Sequence, residues 1–155
     1  MQYTTHSSAE TEQLAQQLLP VILNKRIVQL SGNLGSGKTT FVKGLAKALG
    51  IQKAVKSPTY TYLHKYEIRN SKSEINSHFE FQISNFRFLY HFDLYRLPST
   101  SEHPEQVAAS IGLEDALKDE NGIVLIEWPE RLPIEVPSLH LNFEKNRNHH
   151  QITTS

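Results

Sequence analysis

The chain has 155 residues, no cysteine and a formal net charge of zero. That length suits one domain with a real core, and the missing cysteines exclude disulfides and thiolate metal sites. The balanced charge argues against a protein that grips RNA or DNA unaided, because such proteins carry an excess of Lys and Arg to neutralise phosphates.

Met1 to His6 shows no basic segment leading into an apolar run, so no signal peptide is expected. No apolar run approaches the ~20 residues that a bilayer span requires, and a cytoplasmic protein without membrane contact is the expectation. Ser7-Ser8-Ala9-Glu10 has the spacing of a capping box. It predicts a helix with Leu14, Ala15, Leu18 and Leu19 facing inward, ended by Pro20. Arg26-Ile27-Val28-Gln29-Leu30 reads as a short buried strand.

Gly32 to Thr39 then read Gly-Asn-Leu-Gly-Ser-Gly-Lys-Thr, which fills the template G-x-x-x-x-G-K-S/T. Such a loop turns its backbone N–H groups toward phosphate oxygens, and Gly35 and Gly37 let the chain approach without a Cβ in the way. The helix that follows aims its positive N-terminus at the same phosphates. Lys38 can reach the β- and γ-phosphates, and the Thr39 hydroxyl is placed for magnesium. Gly35, Ser36, Gly37, Lys38, Thr39 and Thr40 are therefore candidate contacts to ATP or GTP with Mg2+. Phe41, Val42, Leu45, Ala46 and Leu49 form the apolar stripe of the helix, and Gly50 marks its end.

Ala54 to Leu63 is rich in β-branched and aromatic residues and reads as a loop entering a strand. Thr59, within Ser57-Pro58-Thr59, is a candidate sensor of the nucleotide; ordinary turn chemistry is the alternative. From Ile68 to Asn85 the chain is polar and irregular, as a long mobile hairpin connection would be. Phe79, Phe81 and Ile83 alternate with polar residues, so a strand could run into it. Phe86 to Tyr95 is an aromatic strand interrupted by Asp93, a charge that needs either a partner, such as Arg96, or a task. Val107 to Leu117 holds one or two short helices.

Ile123-Val124-Leu125-Ile126-Glu127 is a continuous apolar run that ends in an acid. A buried central strand delivers a carboxylate to its C-terminal end in this way, where open α/β sheets bind ligands. Glu127 is the candidate metal ligand beside Thr39; capping a neighbouring element is its alternative role. Trp128 follows at the same edge. Leu139 to Phe143 alternates as an edge strand would. Residues 145–155 read as a polar, frayed tail on a domain spanning residues 1–144, with His149 and His150 solvated.

Four segments in order carry a specific resemblance: Gly-Asn-Leu-Gly-Ser-Gly-Lys-Thr-Thr-Phe, Lys-Ser-Pro-Thr-Tyr-Thr, His-Phe-Asp-Leu-Tyr-Arg-Leu and Ile-Glu-Trp-Pro-Glu-Arg. Across about Ser8 to Leu132 the chain resembles the bacterial TsaE family, the ATPase component in making N6-threonylcarbamoyladenosine on tRNA. The resemblance implies an α/β, three-layer P-loop NTPase fold with a largely parallel central sheet and some antiparallel strands. It implies ATP and Mg2+ as ligands and TsaB and TsaD as partners, with tRNA met through that complex.

Carried over, the resemblance gives Lys38 to phosphate, Thr39 and Glu127 to magnesium, and Asp93 to hydrolysis. It sets Trp128 beside the site and Thr11 near the adenine, and makes Ser57 to Thr61 responsive to nucleotide. The 68–85 segment is longer than the family's hairpin, and the part after Leu132 lacks a final helix. A weak intrinsic ATPase that becomes competent beside its partners fits this build. A small-molecule P-loop kinase and a non-hydrolytic nucleotide switch are the competing functions.

Overall fold

The computed structural model describes residues 1–56, 61–69, 83–98, 102–132 and 135–155. Thr59 and most of the polar 68–85 segment, including Phe79 and Phe81, lie outside the described residues. In chain order the elements are β1 (Gln2–Thr5), α1 (Ser8–Gln17), α2 (Leu19–Lys25), β2 (Ile27–Gly32), α3 (Lys38–Ala48), β3 (Leu63–Glu67) and β4 (Phe88–Asp93). Then follow α4 (Pro104–Ser110), α5 (Leu113–Lys118), β5 (Gly122–Glu127), a 3-10 turn (Pro129–Arg131), β6 (Leu139–Lys145) and β7 (His150–Thr154).

The strands form one sheet in the order β1-β7-β6-β2-β5-β4-β3. Its centre, β6-β2-β5-β4, is parallel throughout. Its margins are antiparallel, with β3 on β4 at one side and β7 on β6, then β1 on β7, at the other. One face carries Leu30, Leu89, Leu125, Leu141 and Phe143, packed with Leu14, Ile22, Phe41 and Leu45 from α1, α2 and α3. The opposite face packs Phe92, Val124 and Ile126 with Ala108, Leu113 and Ala116 from α4 and α5. Helices on both faces of a mixed sheet with a parallel centre make the three-layer α/β architecture that the resemblance implies, with antiparallel pairings as numerous as parallel ones among the described residues.

Local chemistry sets the ends of the elements. The Ser7 hydroxyl caps α1 by accepting the Glu10 amide at 3.2 Å, and the Glu10 carboxylate accepts the His6 amide at 2.8 Å. Pro20 does end the first helix near Gln17, but it also opens α2, lying in its first turn where a missing N–H costs nothing.

Three sequence expectations are corrected. Residues 139–143 belong to an internal strand: β6 lies between β2 and β7. It alternates because every second side chain of β6 is exposed, which is a property of its outer face and not of an edge position. The 145–155 tail is ordered, since β7 pairs with both β6 and β1 and buries Ile152 completely. The sheet thus runs past the 144 boundary. Ile83 is helical, not extended.

Gly44 sets the distance between α1 and α3. A Cβ there would meet Glu12 Cα at 2.6 Å and Glu12 O at 2.7 Å. Alanine favours a helix over glycine by about 1 kcal/mol, but this overlap is with backbone, and overpacking costs about 1–3 kcal/mol. Gly44→Ala is expected to lower the urea unfolding midpoint; an increase would show that the two helices can separate freely.

Candidate functional site

The C-terminal ends of β2, β4 and β5 open into a cavity of about 660 Å³. Gly35, Gly37, Lys38, Thr39, Thr40, Thr11, Asp93, Glu127 and Trp128 all line it. Nine of the residues singled out in the sequence therefore converge on one space. Ser36, within the same loop, is buried away from the cavity lining, and its Oγ is one of the buried side-chain atoms without a hydrogen-bond partner among the described residues.

The loop is shaped by glycines at three left-handed positions, Gly32 (φ 134°), Gly35 (φ 73°) and Gly37 (φ 106°). Gly32 is the most constrained, because a Cβ would lie 2.3 Å from the Phe143 carbonyl oxygen. Gly37 occupies the N-cap of α3 and offers no side chain to cap it, so the amides of the first turn keep their capacity for an anion.

Lys38 is buried, and its ammonium donates to the carbonyls of Gly32 and Asn33, the latter at 3.0 Å. An ammonium has three donors, so one remains. The same nitrogen lies 4.4 Å from the centroid of the Trp128 ring. Burial pulls the Lys38 pKa down, while the charges of Glu127, Glu130 and Asp93 oppose that shift.

Asp93 and Glu127 end adjacent parallel strands and stand directly opposite each other in register. Glu127 is 2% exposed, and its Oε1 lies 2.7 Å from Nε2 of the fully buried His91. Asp93 Oδ1 accepts the Tyr95 amide at 3.1 Å. Burial holds the Asp93 carboxyl above its usual range; the Tyr95 amide pulls it back and the neighbouring Glu127 charge raises it again. The Thr39 hydroxyl and the Glu127 carboxylate both line the cavity, and hard oxygen donors of this kind are those that magnesium takes.

Trp128 has φ 58° and ψ 51°, a left-handed conformation that is costly for a bulky residue. Its amide donates to Leu30 O at 3.1 Å, extending the β2–β5 ladder by one step past Glu127. The turn aims the indole across the cavity, where it meets the Tyr95 ring at 5.0 Å between centroids. Thr11 is buried, its hydroxyl 2.8 Å from that of Thr5.

The sequence reading missed two histidines. His150, read as solvated, is half-buried, lines the cavity and donates from Nδ1 to Ser36 O at 2.7 Å. The β-branched run Ile152-Thr153-Thr154 was the available sign that this segment is a strand. His91 carries no local sign at all, because its partner is on another strand.

A phosphate loop joining a central strand to a helix, facing two strand-end acids, defines a P-loop protein of the α/β class. The chain matches the family described as "Threonylcarbamoyl adenosine biosynthesis protein TsaE" over residues 5–154, and it belongs to that family. It is 34% identical over 127 residues to the tRNA threonylcarbamoyladenosine biosynthesis protein TsaE of Aquifex aeolicus, covering 81% of this chain and 74% of that protein. To the protein of the same name from Synechocystis sp. it is 38% identical over 131 residues, covering 83% of this chain and 69% of that one. A crystal structure of Bacillus subtilis YdiB shares the fold, with a TM-score of 0.63 over 99% of this chain and 83% of that chain, at 23% identity. No helix among the described residues is long and apolar enough to cross a membrane.

The raised Asp93 pKa has a consequence for stability. The native state holds this proton more tightly than the unfolded chain, so Asp93 costs stability as pH rises above the usual carboxyl range. Asp93→Asn removes that cost. In the nucleotide-free protein at pH 7 it is expected to raise the melting temperature by roughly 2–4 °C, the equivalent of about 1 kcal/mol in a domain of this size. The gain should shrink as pH falls into the carboxyl range. An unchanged or lower melting temperature at pH 7 would show that Asp93 is not strained.

Proposed function

We propose that this chain binds and hydrolyses ATP in support of N6-threonylcarbamoyladenosine formation on tRNA, acting in the cytoplasm beside the TsaB and TsaD proteins. Membership of the TsaE family and the names of its relatives support the pathway. The observation that carries the ATPase reading is the convergence of the phosphate loop, Lys38 and the strand-end acids Asp93 and Glu127 on one cavity.

In this reading the loop amides and the first turn of α3 receive the triphosphate oxygens. Lys38 adds its remaining ammonium donor to the same charge. Thr39 and Glu127 would hold magnesium, which supplies Lewis-acid neutralisation of the phosphate charge when bound. Asp93, with its raised proton affinity, is the group suited to take a proton from an attacking water. Trp128 covers the Lys38 ammonium, and Thr11, which also lines the cavity, is the residue offered to the base. The zero net charge leaves tRNA to be met through the complex.

Calorimetry and nucleoside analysis test this reading. Lys38→Ala is expected to weaken ATP·Mg binding at least about tenfold, near 1.4 kcal/mol. Glu127→Ala should lose the magnesium-dependent part of that affinity and keep the rest. Turnover by the isolated protein should fall well below the enzyme median of about 10 per second and rise when TsaB and TsaD are added. Asp93→Ala should bind ATP yet fail to restore the modified nucleoside in a depleted strain. Unchanged affinity in both Lys38→Ala and Glu127→Ala would end this reading. Restoration by Asp93→Ala would favour a binding switch, and phosphate appearing on a small acceptor would favour a kinase.

A further inference from the structure

His91 is fully buried on the sheet face that packs against α1, α2 and α3, and it does not line the cavity. It stands on β4, two positions before Asp93, between the β3 residue His64 and the β5 residue Leu125 in register. Its Nε2 meets Glu127 Oε1 at 2.7 Å. Its Nδ1 has no hydrogen-bond partner among the described residues. Everything polar that this imidazole does is therefore directed at one carboxylate oxygen.

A merely stabilising role accounts poorly for this arrangement. Burying a polar pair inside a sheet gains little over well-packed apolar side chains, and the unpartnered Nδ1 adds a further cost. A leucine, like Leu89 and Leu125 on the same face, would fill the space without either cost. What the imidazole does supply is direction. A glutamate side chain has several rotamers, and a fixed donor on one oxygen selects among them.

We propose that His91 is a positioning residue for Glu127: it donates Nε2–H to Oε1, fixes the carboxylate at the end of β5, and leaves Oε2 to the divalent cation. This rests on the reading that Glu127 holds magnesium beside bound nucleotide. His91 touches neither phosphate nor metal, so it governs the metal-dependent part of nucleotide binding and not the part made by the loop.

The test is ADP binding by calorimetry in EDTA and in excess Mg2+, with Mn2+ affinity of the protein–ADP complex followed by electron paramagnetic resonance. His91→Leu is expected to keep the EDTA affinity within about threefold and to weaken Mn2+ binding about 10–100-fold, as loss of an outer-shell partner does. His91→Gln, whose amide nitrogen reaches nearly as far as Nε2, should recover most of that loss, and the shorter His91→Asn should not. If His91→Leu does not fold, the Gln and Asn variants make the same comparison.

Mn2+ affinity unchanged in His91→Leu, or equal in the Gln and Asn variants, overturns the inference. An equal fall in EDTA affinity and Mn2+ affinity also overturns it, because it assigns His91 a general structural role. Wild-type protein that binds no ADP in either buffer overturns the nucleotide reading itself. Wild-type protein that binds ADP with no Mg2+ dependence removes the metal role of Glu127 alone.

Discussion

Two acids and one lysine share the end of a parallel sheet, and the rest of the site is arranged around that unequal charge. Asp93 and Glu127 are neighbours in register because β4 and β5 are parallel and end together. Neither can leave, since both side chains sit where the backbone ladders place them. Burial disfavours the ionised form of Asp93 and of Lys38 alike. A ligand that brought an anion to the lysine and a cation to the acids would compensate both charges. A metal-bound polyphosphate has that pair of charges.

The loop that would receive the anion is held from behind by the C-terminal strands. Gly32 passes so close to Phe143 on β6 that no side chain fits, and His150 on β7 takes up the Ser36 carbonyl. Thr5 at the end of β1 is paired with His150 in register and reaches the Thr11 hydroxyl. The first and last segments of the chain thus form one wall of the cavity. The loop's shape depends on contacts more than a hundred residues away as well as on its own glycines.

This division explains what could be read from the sequence. The loop from Gly32 to Thr39, β2, α3, and the acid-terminated β5 were legible because each has a local signal: a glycine spacing, a helical stripe, an apolar run. The Asp93 strand was legible as an aromatic run with one misplaced charge. β1 and β7 were not, because each has a polar face and gains its order only by pairing with a partner across the chain. The inner position of β6 was hidden for the same reason. Pro20 was read as a stop and is also a start, because it stands in the first turn of α2, where a missing N–H costs nothing. His91 and His150 act through partners 36 and 114 residues away, and no spacing rule reports that.

Trp128 shows how the two halves of the site are coupled. Its left-handed backbone ends β5 immediately after the metal-ligand candidate, and its amide still completes the ladder to Leu30 on β2. The same turn lays the indole over Lys38 and against Tyr95, two residues beyond Asp93. One strained residue therefore touches the phosphate side through Lys38, the acid side through Glu127 and the β4 end through Tyr95. Replacing lysine's solvent with an aromatic face strengthens every remaining electrostatic interaction of that ammonium. The turn that carries the backbone strain at position 128 is the one that sets the indole over the ammonium, so strain at position 128 and burial at position 38 are one arrangement.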